Sequence, residues 1–515
     1  MRNSKMKLHL RTAGFLTLVA LIPMSACTDL TEVPSSSISP ENFYANEAEV
    51  IGGLASVYAQ LRATVDEAYN VAEVSSDEII VPIRGTDWLD NGKWLDLDRH
   101  TYAPNSPGGL DNINSAWVEM FRGVARANVV LTAIEGLTFA NKEIVQAELR
   151  TLRAFYYYLL QDLFGGVPIV EDTEIAARPR ATRAEVFAFI ESELNATRAI
   201  LPVSWPAAMN GRLTRGAADA MLASLYLNAE VFTGTVTAAG LQRGAPRWQD
   251  AVTAADRVIN SGQYSLATNW RSNFTANNHT SPEIIWAVKF VAVDGLGLNF
   301  VMRALHYNQY DALTPWNGFA TIAETYARFD PDDQRRQIFL AGPQVNQITG
   351  LPVNDRSGNP LVFDPNIGDV TNAPEGAGVR IVKWPVDPAH VAQFNGNDYA
   401  HFRLAEVMLV KAEAQNELGQ TPAAIALVNA VRARHFATPE PITATTQAGV
   451  RTAILNERLY ELTAEGKRRT DMIRHGVWSS STWFNKTVTD PWKILMPIPV
   501  IQIGTNPELV QNAGY

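Results

Sequence analysis

The chain has 515 residues, 46% of them hydrophobic and 19% charged, a composition that excludes long disorder and allows a large apolar core. A formal charge of −10 without clusters of Lys and Arg excludes phosphate-neutralising recognition of nucleic acid and favours a neutral ligand. The lone cysteine, Cys27, excludes an intramolecular disulfide, so stability has to come from packing.

Residues 1–26 read as an export signal. Arg2, Lys5, Lys7 and Arg11 precede an apolar run from Phe15 to Ile22 that is too short for a permanent membrane span, and the small residues Ser25 and Ala26 follow. Met24-Ser25-Ala26-Cys27 resembles a bacterial lipobox, which makes Cys27 the expected lipidation site; the competing reading is a buried free thiol. Residues 27–40 have the Ser/Pro composition of an extended leader. No later stretch reaches 18 apolar residues, so residues 41–515 are expected to form one soluble body held to the membrane by acyl chains.

Apolar residues recur at helical spacing in Glu47 to Leu61, Trp117 to Ile134, Lys142 to Leu163, Arg183 to Ile200, Thr214 to Phe232 and Trp248 to Ile259. A segment from about 261 to 388, rich in Gly, Pro, Asn and Asp, reads as loops and small strands inserted in the helical frame. Helical spacing returns in His401 to Leu418, Thr421 to His435 and Val450 to Arg469, and a Pro-rich tail follows. Short connections such as Gly419 to Pro422, flanked by small Ala residues, predict closely packed antiparallel helix pairs. The expected fold is mainly α, with tetratricopeptide-like pairs and a loop-rich, small-strand insertion.

Several motifs follow one another at characteristic separations. They are Glu148 to Pro168, ending Phe-Gly-Gly-Val-Pro; Thr214 to Leu227; Ala255 to Leu266; Ser281-Pro-Glu-Ile-Ile-Trp286; Arg403 to Ala414; Glu457 to Leu462; Glu465 to Asp471; and Pro497-Ile-Pro499. Their order, beside the lipobox and the terminal Gln511-Asn-Ala-Gly-Tyr515, resembles the SusD/RagB family, the lipoprotein half of starch-utilisation-type uptake systems. The resemblance implies a SusD-like α fold and a lipid-anchored place on the outer membrane, at the cell surface of a Gram-negative bacterium. It also implies a glycan ligand, and a partner in a SusC-like TonB-dependent transporter. Read physically, these motifs are framework: Phe164-Gly-Gly-Val-Pro168 stops a helix. Glu457, Glu461 and Glu465 line one helix face with Arg458, Arg468 and Arg469 as available counter-ions, which reads as an ion-pair network.

Sugars present apolar C–H faces ringed by hydroxyls, so a glycan site needs exposed aromatic rings beside polar side chains on rigidly held loops. Two stretches meet that description. The first carries Arg84, Trp88, Asp90, Asn91 and Trp94, and the resemblance adds weight because the family often places ligand-stacking aromatics in its corresponding early loop. The second, Arg303 to Gly318, carries Tyr307, Asn308, Tyr310, Trp316 and Asn317; the competing reading of Trp316 is packing of the Trp/Gly-rich turn that the family commonly has before the helix corresponding to Thr321 to Phe329. Trp117, Tyr156, Tyr157, Tyr158 and Trp286 fall in periodic segments and are expected in the core.

An enzyme reading has little behind it. A glycoside hydrolase would need two carboxylates across a cleft; Asp87, Asp90, Asp96 and Asp98 could be recruited, but any short acidic loop offers such pairs and nothing independent supports these. No Gly-x-Ser-x-Gly, His-Glu-x-x-His or EF-hand pattern is present, so no cofactor or metal is implied, and structural calcium on the Asp-rich loops has no pattern behind it. The main rival is a peptide-binding uptake lipoprotein, which would favour charged groups and an open strand edge. A purely structural lid on the transporter is the third reading.

Overall fold

The computed structural model describes Tyr44, residues 46–310 and residues 313–515. The expected export signal, Cys27 and the expected leader lie outside the described residues. The helical frame runs α1 (Glu47–Ala63), α2 (Asn114–Ala133), α3 (Lys142–Phe164), α4 (Arg183–Thr197), α5 (Arg215–Leu227) and α6 (Trp248–Ile259), then α7 (Leu404–Glu417), α8 (Thr421–Arg432), α9 (Gln447–Leu462) and α10 (Arg468–Arg474). Sequential neighbours pack in pairs: α2 on α3, α3 on α4, α5 on α6, and α7 on both α8 and α9. The expected mainly α frame is therefore present.

Local chemistry sets the helix ends. Asn46 caps α1 by accepting from the Glu49 N–H, and a reciprocal Thr182–Glu185 capping box opens α4. The α3 helix stops at Gly165, whose φ of 76° no β-carbon would tolerate cheaply. On α3, Leu149, Leu152, Phe155, Tyr156, Leu160 and Leu163 are buried at helical spacing, each worth about 1.5–3 kcal/mol of transfer free energy. Trp117, Tyr156, Tyr157 and Trp286 join them in one core that extends from Val50 to Leu509, with Tyr158 packed half-buried against it.

Three runs of helical spacing are interrupted. The Thr214 to Phe232 run breaks at Asn228, whose side chain bonds the Ser224 carbonyl and takes a hydrogen bond from Arg474. His401 to Arg403 are strand: β2 (Tyr399–Arg403) pairs antiparallel with β1 (Ile284–Val288), and that ladder ties together the two ends of the irregular segment between them. The Val450 to Arg469 run breaks between α9 and α10, where Ala464 and Gly466 take positive φ. Between β1 and β2 the described residues form short helices, single bridges and two-residue ladders, Phe339–Leu340 with Arg380–Ile381 and Gly342–Pro343 with Val362–Phe363. No helix among the described residues is long and apolar enough to cross a membrane.

Charge pairing locks the insertion to the last helices. Arg403 of β2, with none of its surface exposed, donates to Glu283 at 2.6 Å, Glu461 at 3.0 Å and Glu465 at 2.7 Å. Arg434 also bonds Glu283 and Glu461, and Arg335 bonds Asp333, Glu457 and Glu461. With Lys383 on Glu465 and Arg432 on Glu457, five cations face five carboxylates. The expected network exists, but with other counter-ions. Arg458, Arg468 and Arg469 lie on other faces and pair with Asp471, Asp77 and Asp162. His435 joins at 2.8 Å from Glu461, and burial holds it below its usual pKa.

A buried acidic pair works in the opposite sense. Glu73 and Glu78 are fully packed, and burial pushes both carboxyls up, Glu73 to about 7 and Glu78 further through repulsion by Glu73. Folded values above unfolded ones mean stability that is present at low pH and lost as pH rises from about 4.5 through 7. Glu78→Gln, which keeps an acceptor for the Ala464 N–H, is expected to stabilise the fold at pH 8 by about 1–3 kcal/mol. Melting curves at pH 5 and pH 8 check this: the gain should shrink at pH 5, and a pH-independent difference would refute it.

Candidate carbohydrate-binding platform

The two loops nominated from sequence meet in space. The first begins with a tight turn in which Arg84 and Asp87 bridge through their backbones. Beyond it Trp88, Asp90 and Asn91 all adopt positive φ, at 63°, 34° and 54°. Asn tolerates that region, but a tryptophan there is an outlier costing about 1–3 kcal/mol, which persists only when surroundings over-determine it. The surroundings do so: the Trp88 indole N–H donates to the Trp316 carbonyl at 2.7 Å, and its ring packs edge-on against Trp94 and Phe319.

Gly318 completes the seat. A β-carbon there would lie 2.2 Å from the Trp88 ring. Gly318→Ala is accordingly expected to lever the indole out of place, at about 1–3 kcal/mol in stability and a loss of about tenfold or more in glycan affinity. Parallel melting and affinity measurements check this; wild-type affinity in the variant would show that the ring position is immaterial.

On the outer side lies a charged and aromatic cluster. Tyr307 donates to Asp87 at 2.6 Å, and the Arg356 guanidinium lies 3.9 Å over the Tyr307 ring while bonding Asp87 at 3.1 Å. Arg356 also bonds Glu375 through its guanidinium and through its backbone N–H at 3.0 Å, and Glu375 takes the His306 imidazole at 2.8 Å. Burial would raise the Glu375 carboxyl, but these hydrogen bonds outweigh it and hold the group below its usual value. Burial, reinforced by Asp87, pushes the Tyr307 phenol up, and burial holds His306 down despite its carboxylate partner. The result is a fixed array of donors and acceptors beside half-exposed Trp88 and Tyr307, with Leu89 51% exposed and Asp90, Asn91 and Asn308 at the rim; Trp316, also half-exposed, gives its carbonyl to Trp88 while its ring packs on the apolar cluster of Leu305, Tyr310 and Val382.

Four of the residues expected to contact ligand are buried, which corrects their role to support. Trp94 is 6% exposed because Lys93–Asp98 is helical and turns its ring inward, where it donates to Asp90 at 2.7 Å. Arg84, 2% exposed, donates to the carbonyls of Pro82, Asn317, Gly318 and Ala377 and so clamps the two loops; burial pushes it down to about 10. Asn317 is fully buried between Arg380 and the Glu375 carbonyl, and Tyr310 sits in a small apolar cluster with Leu305 and Val382. Asp96 and Asp98, the acids a hydrolase reading would recruit, are also buried. Asp96 accepts from Thr101 and from the Gly108 N–H, and Asp98 accepts from Asn485.

His306, Arg356 and Glu375 were not singled out in the sequence. Arg356 reaches Asp87 across 269 residues, a separation that no local spacing rule spans. Among the described residues no group of three or more His, Cys, Asp and Glu side chains is arranged to hold a metal.

A sequence model described as the SusD family matches residues 260–515, and one described as "Starch-binding associating with outer membrane" matches residues 54–227. The chain is 26% identical to SusD-like protein P25 of Formosa agariphila, over 94% of this chain and 96% of that one. It is also 26% identical to the starch-binding protein SusD of Bacteroides thetaiotaomicron, over 87% of this chain and 85% of that one. Among solved structures, a laminarin-binding SusD-like protein superposes with a TM-score of 0.72 at 22% identity, covering 92% of this chain and all of that one. Surface glycan-binding protein A of Bacteroides uniformis superposes with 0.71 at 21% identity, over 91% of this chain and 99% of that one. Two family models in tandem, full-length relatives and the superposed helical frame agree: the chain belongs to the SusD family.

Proposed function

We propose that this protein is an outer-membrane lipoprotein that captures an oligo- or polysaccharide on the Trp88–Tyr307–Trp316 platform and passes it to a SusC-like TonB-dependent transporter, without catalysing a reaction. The observation that carries the reading is the strained, tightly braced Trp88 beside a preset array of planar polar groups. Family membership supports it, as do relatives named for binding starch and laminarin. A shallow site with two or three ring faces and solvent-competed hydrogen bonds retains about 4–7 kcal/mol, a Kd on the order of millimolar to ten micromolar. Weak capture suits onward transfer.

The loop carboxylates are engaged as hydrogen-bond acceptors: Asp87 by Tyr307 and Arg356, Glu375 by Arg356 and His306. Burial pushes the Asp98 carboxyl up to about 7, but that group is 1% exposed and bonded to Asn485, sealed off from solvent, which supports a binding role over acid–base chemistry across an open cleft. The test is electrophoresis of the full chain in detergent through native gels cast with laminarin, amylopectin or other polysaccharides. Retardation by one of them supports the proposal. Mobility unchanged in all, with binding of peptide mixtures instead, would replace it by peptide capture.

A further inference from the structure

Away from the platform, and sharing no residue with it, two adjoining cavities of about 260 and 170 Å³ flank the loop from Ala207 to Leu213. They share the wall formed by Asn210, Gly211, Arg212 and Ala287. Each lies below the usual range of drug-sized ligand sites, about 300–1,000 Å³, and suits a single small unit such as one sugar ring.

The smaller cavity has the mixed character of a sugar site. Its half-exposed Trp205 is backed by the Arg212 guanidinium at 4.0 Å, the arrangement that Arg356 makes with Tyr307 on the platform. Ser204, Gln263 and His279 stand exposed at its rim, and the Thr214 and Tyr264 hydroxyls meet at 3.2 Å inside it. The nearby cations are already paired, Arg212 with Glu148 and Lys289 with Asp398. The wall thus offers an aromatic ring, hydroxyls and amides without a free charge, which favours a neutral ligand over an anionic one.

The loop is also rigid. The Trp205 indole donates to the Leu213 carbonyl at 2.8 Å, the Leu213 N–H to Tyr58 at 2.8 Å, Asn210 to the His279 carbonyl at 3.0 Å and Trp286 to the Gly211 carbonyl at 3.2 Å. A ring so fixed loses little freedom when a ligand stacks on it. We infer that this groove is a second carbohydrate subsite, which takes a neutral pyranose unit against Trp205 and holds a polysaccharide independently of the platform. The inference rests on the glycan-binding reading given above.

The experiment is affinity electrophoresis of the full chain in detergent with laminarin and amylopectin. Trp205→Ala and a Ser204→Ala, Gln263→Ala pair are each placed in the wild-type chain and in the Trp88→Ala, Trp316→Ala background. The expected result is a threefold to tenfold loss of apparent affinity in the wild-type chain, and loss of the residual retardation in the background. Circular dichroism reports whether Trp205→Ala folds; if it does not, the pair at exposed positions decides. Retardation unchanged by the substitutions in both backgrounds overturns the subsite and leaves the platform standing. Absence of retardation of the wild-type chain overturns both.

Discussion

Replacing Trp88 and Trp316 together by alanine is expected to lower polysaccharide affinity by about 10- to 100-fold while the helical frame stays folded. The size follows from losing two stacking faces at about 0.7–1.4 kcal/mol each. Trp88 matters doubly, because its indole N–H to the Trp316 carbonyl ties the two loops together. A Trp94→Phe control sharpens the result. That ring is buried against Phe319, so phenylalanine keeps most of its packing and affinity should change less than about threefold. Affinity gels and titration calorimetry on the three proteins decide the matter. A larger loss for Trp94→Phe than for the double variant would mean that loop shape, and not ring stacking, holds the ligand.

The largest stability effect is expected from Glu461→Ala. This carboxylate, with none of its surface exposed, receives Arg335, Arg403, Arg434 and His435. Burial alone would raise its pKa, yet these partners hold it well below the usual value. Removing it leaves three guanidinium groups short of a counter-charge in the interior, a loss of about 3–5 kcal/mol. Glu465 and Glu413 are likewise held below the usual value by buried cations. A depressed folded pKa gives stability that is present above the unfolded value and lost as pH falls through the folded one, so this part of the protein should fail first in acid. Denaturant midpoints at pH 7 and pH 4 test both statements. A cost below about 1 kcal/mol at pH 7 would show that the remaining carboxylates re-pair the arginines.

The two pH effects oppose each other and act in different windows. The Glu73–Glu78 pair weakens the fold as pH rises toward 7, whereas the Glu461 network weakens it as pH falls below the ordinary carboxylate range of about 4. Maximum stability is therefore expected in mildly acidic solution. Gln at position 78 should shift that maximum upward.

Where the ion network forms shows how sequence and fold divide the work. The i, i+4 spacing of Glu457 and Glu461 announces an acidic stripe, because helix periodicity is a local property, but α9 ends at Leu462, so Glu465 reaches the network from the turn and not from the helix face. Its partners Arg335, Lys383 and Arg403 come from the irregular segment and from β2, and only folding brings them there. The adjacent arginines in sequence look like natural counter-ions. Arg458 points elsewhere because one residue's step rotates it about 100° around α9 from Glu457, and Arg468 and Arg469 because the chain turns at Ala464 and Gly466 before α10.

By itself the sequence determined the helical frame, the stop at Gly165, the loop-rich middle and the two aromatic loops. Each rests on period, capping or turn chemistry within about twenty residues. Tertiary structure alone decided which loop residues face outward. Trp88 and Trp94 are six residues apart in one polar stretch, and no local rule separates them. A short helix buries Trp94, while contact with Trp316 and Gly318, more than two hundred residues away, holds Trp88 at the surface. The same holds for Arg84, read as a ligand contact and found as a clamp: burial depends on what the rest of the chain places on top of a side chain, and local spacing carries no record of it.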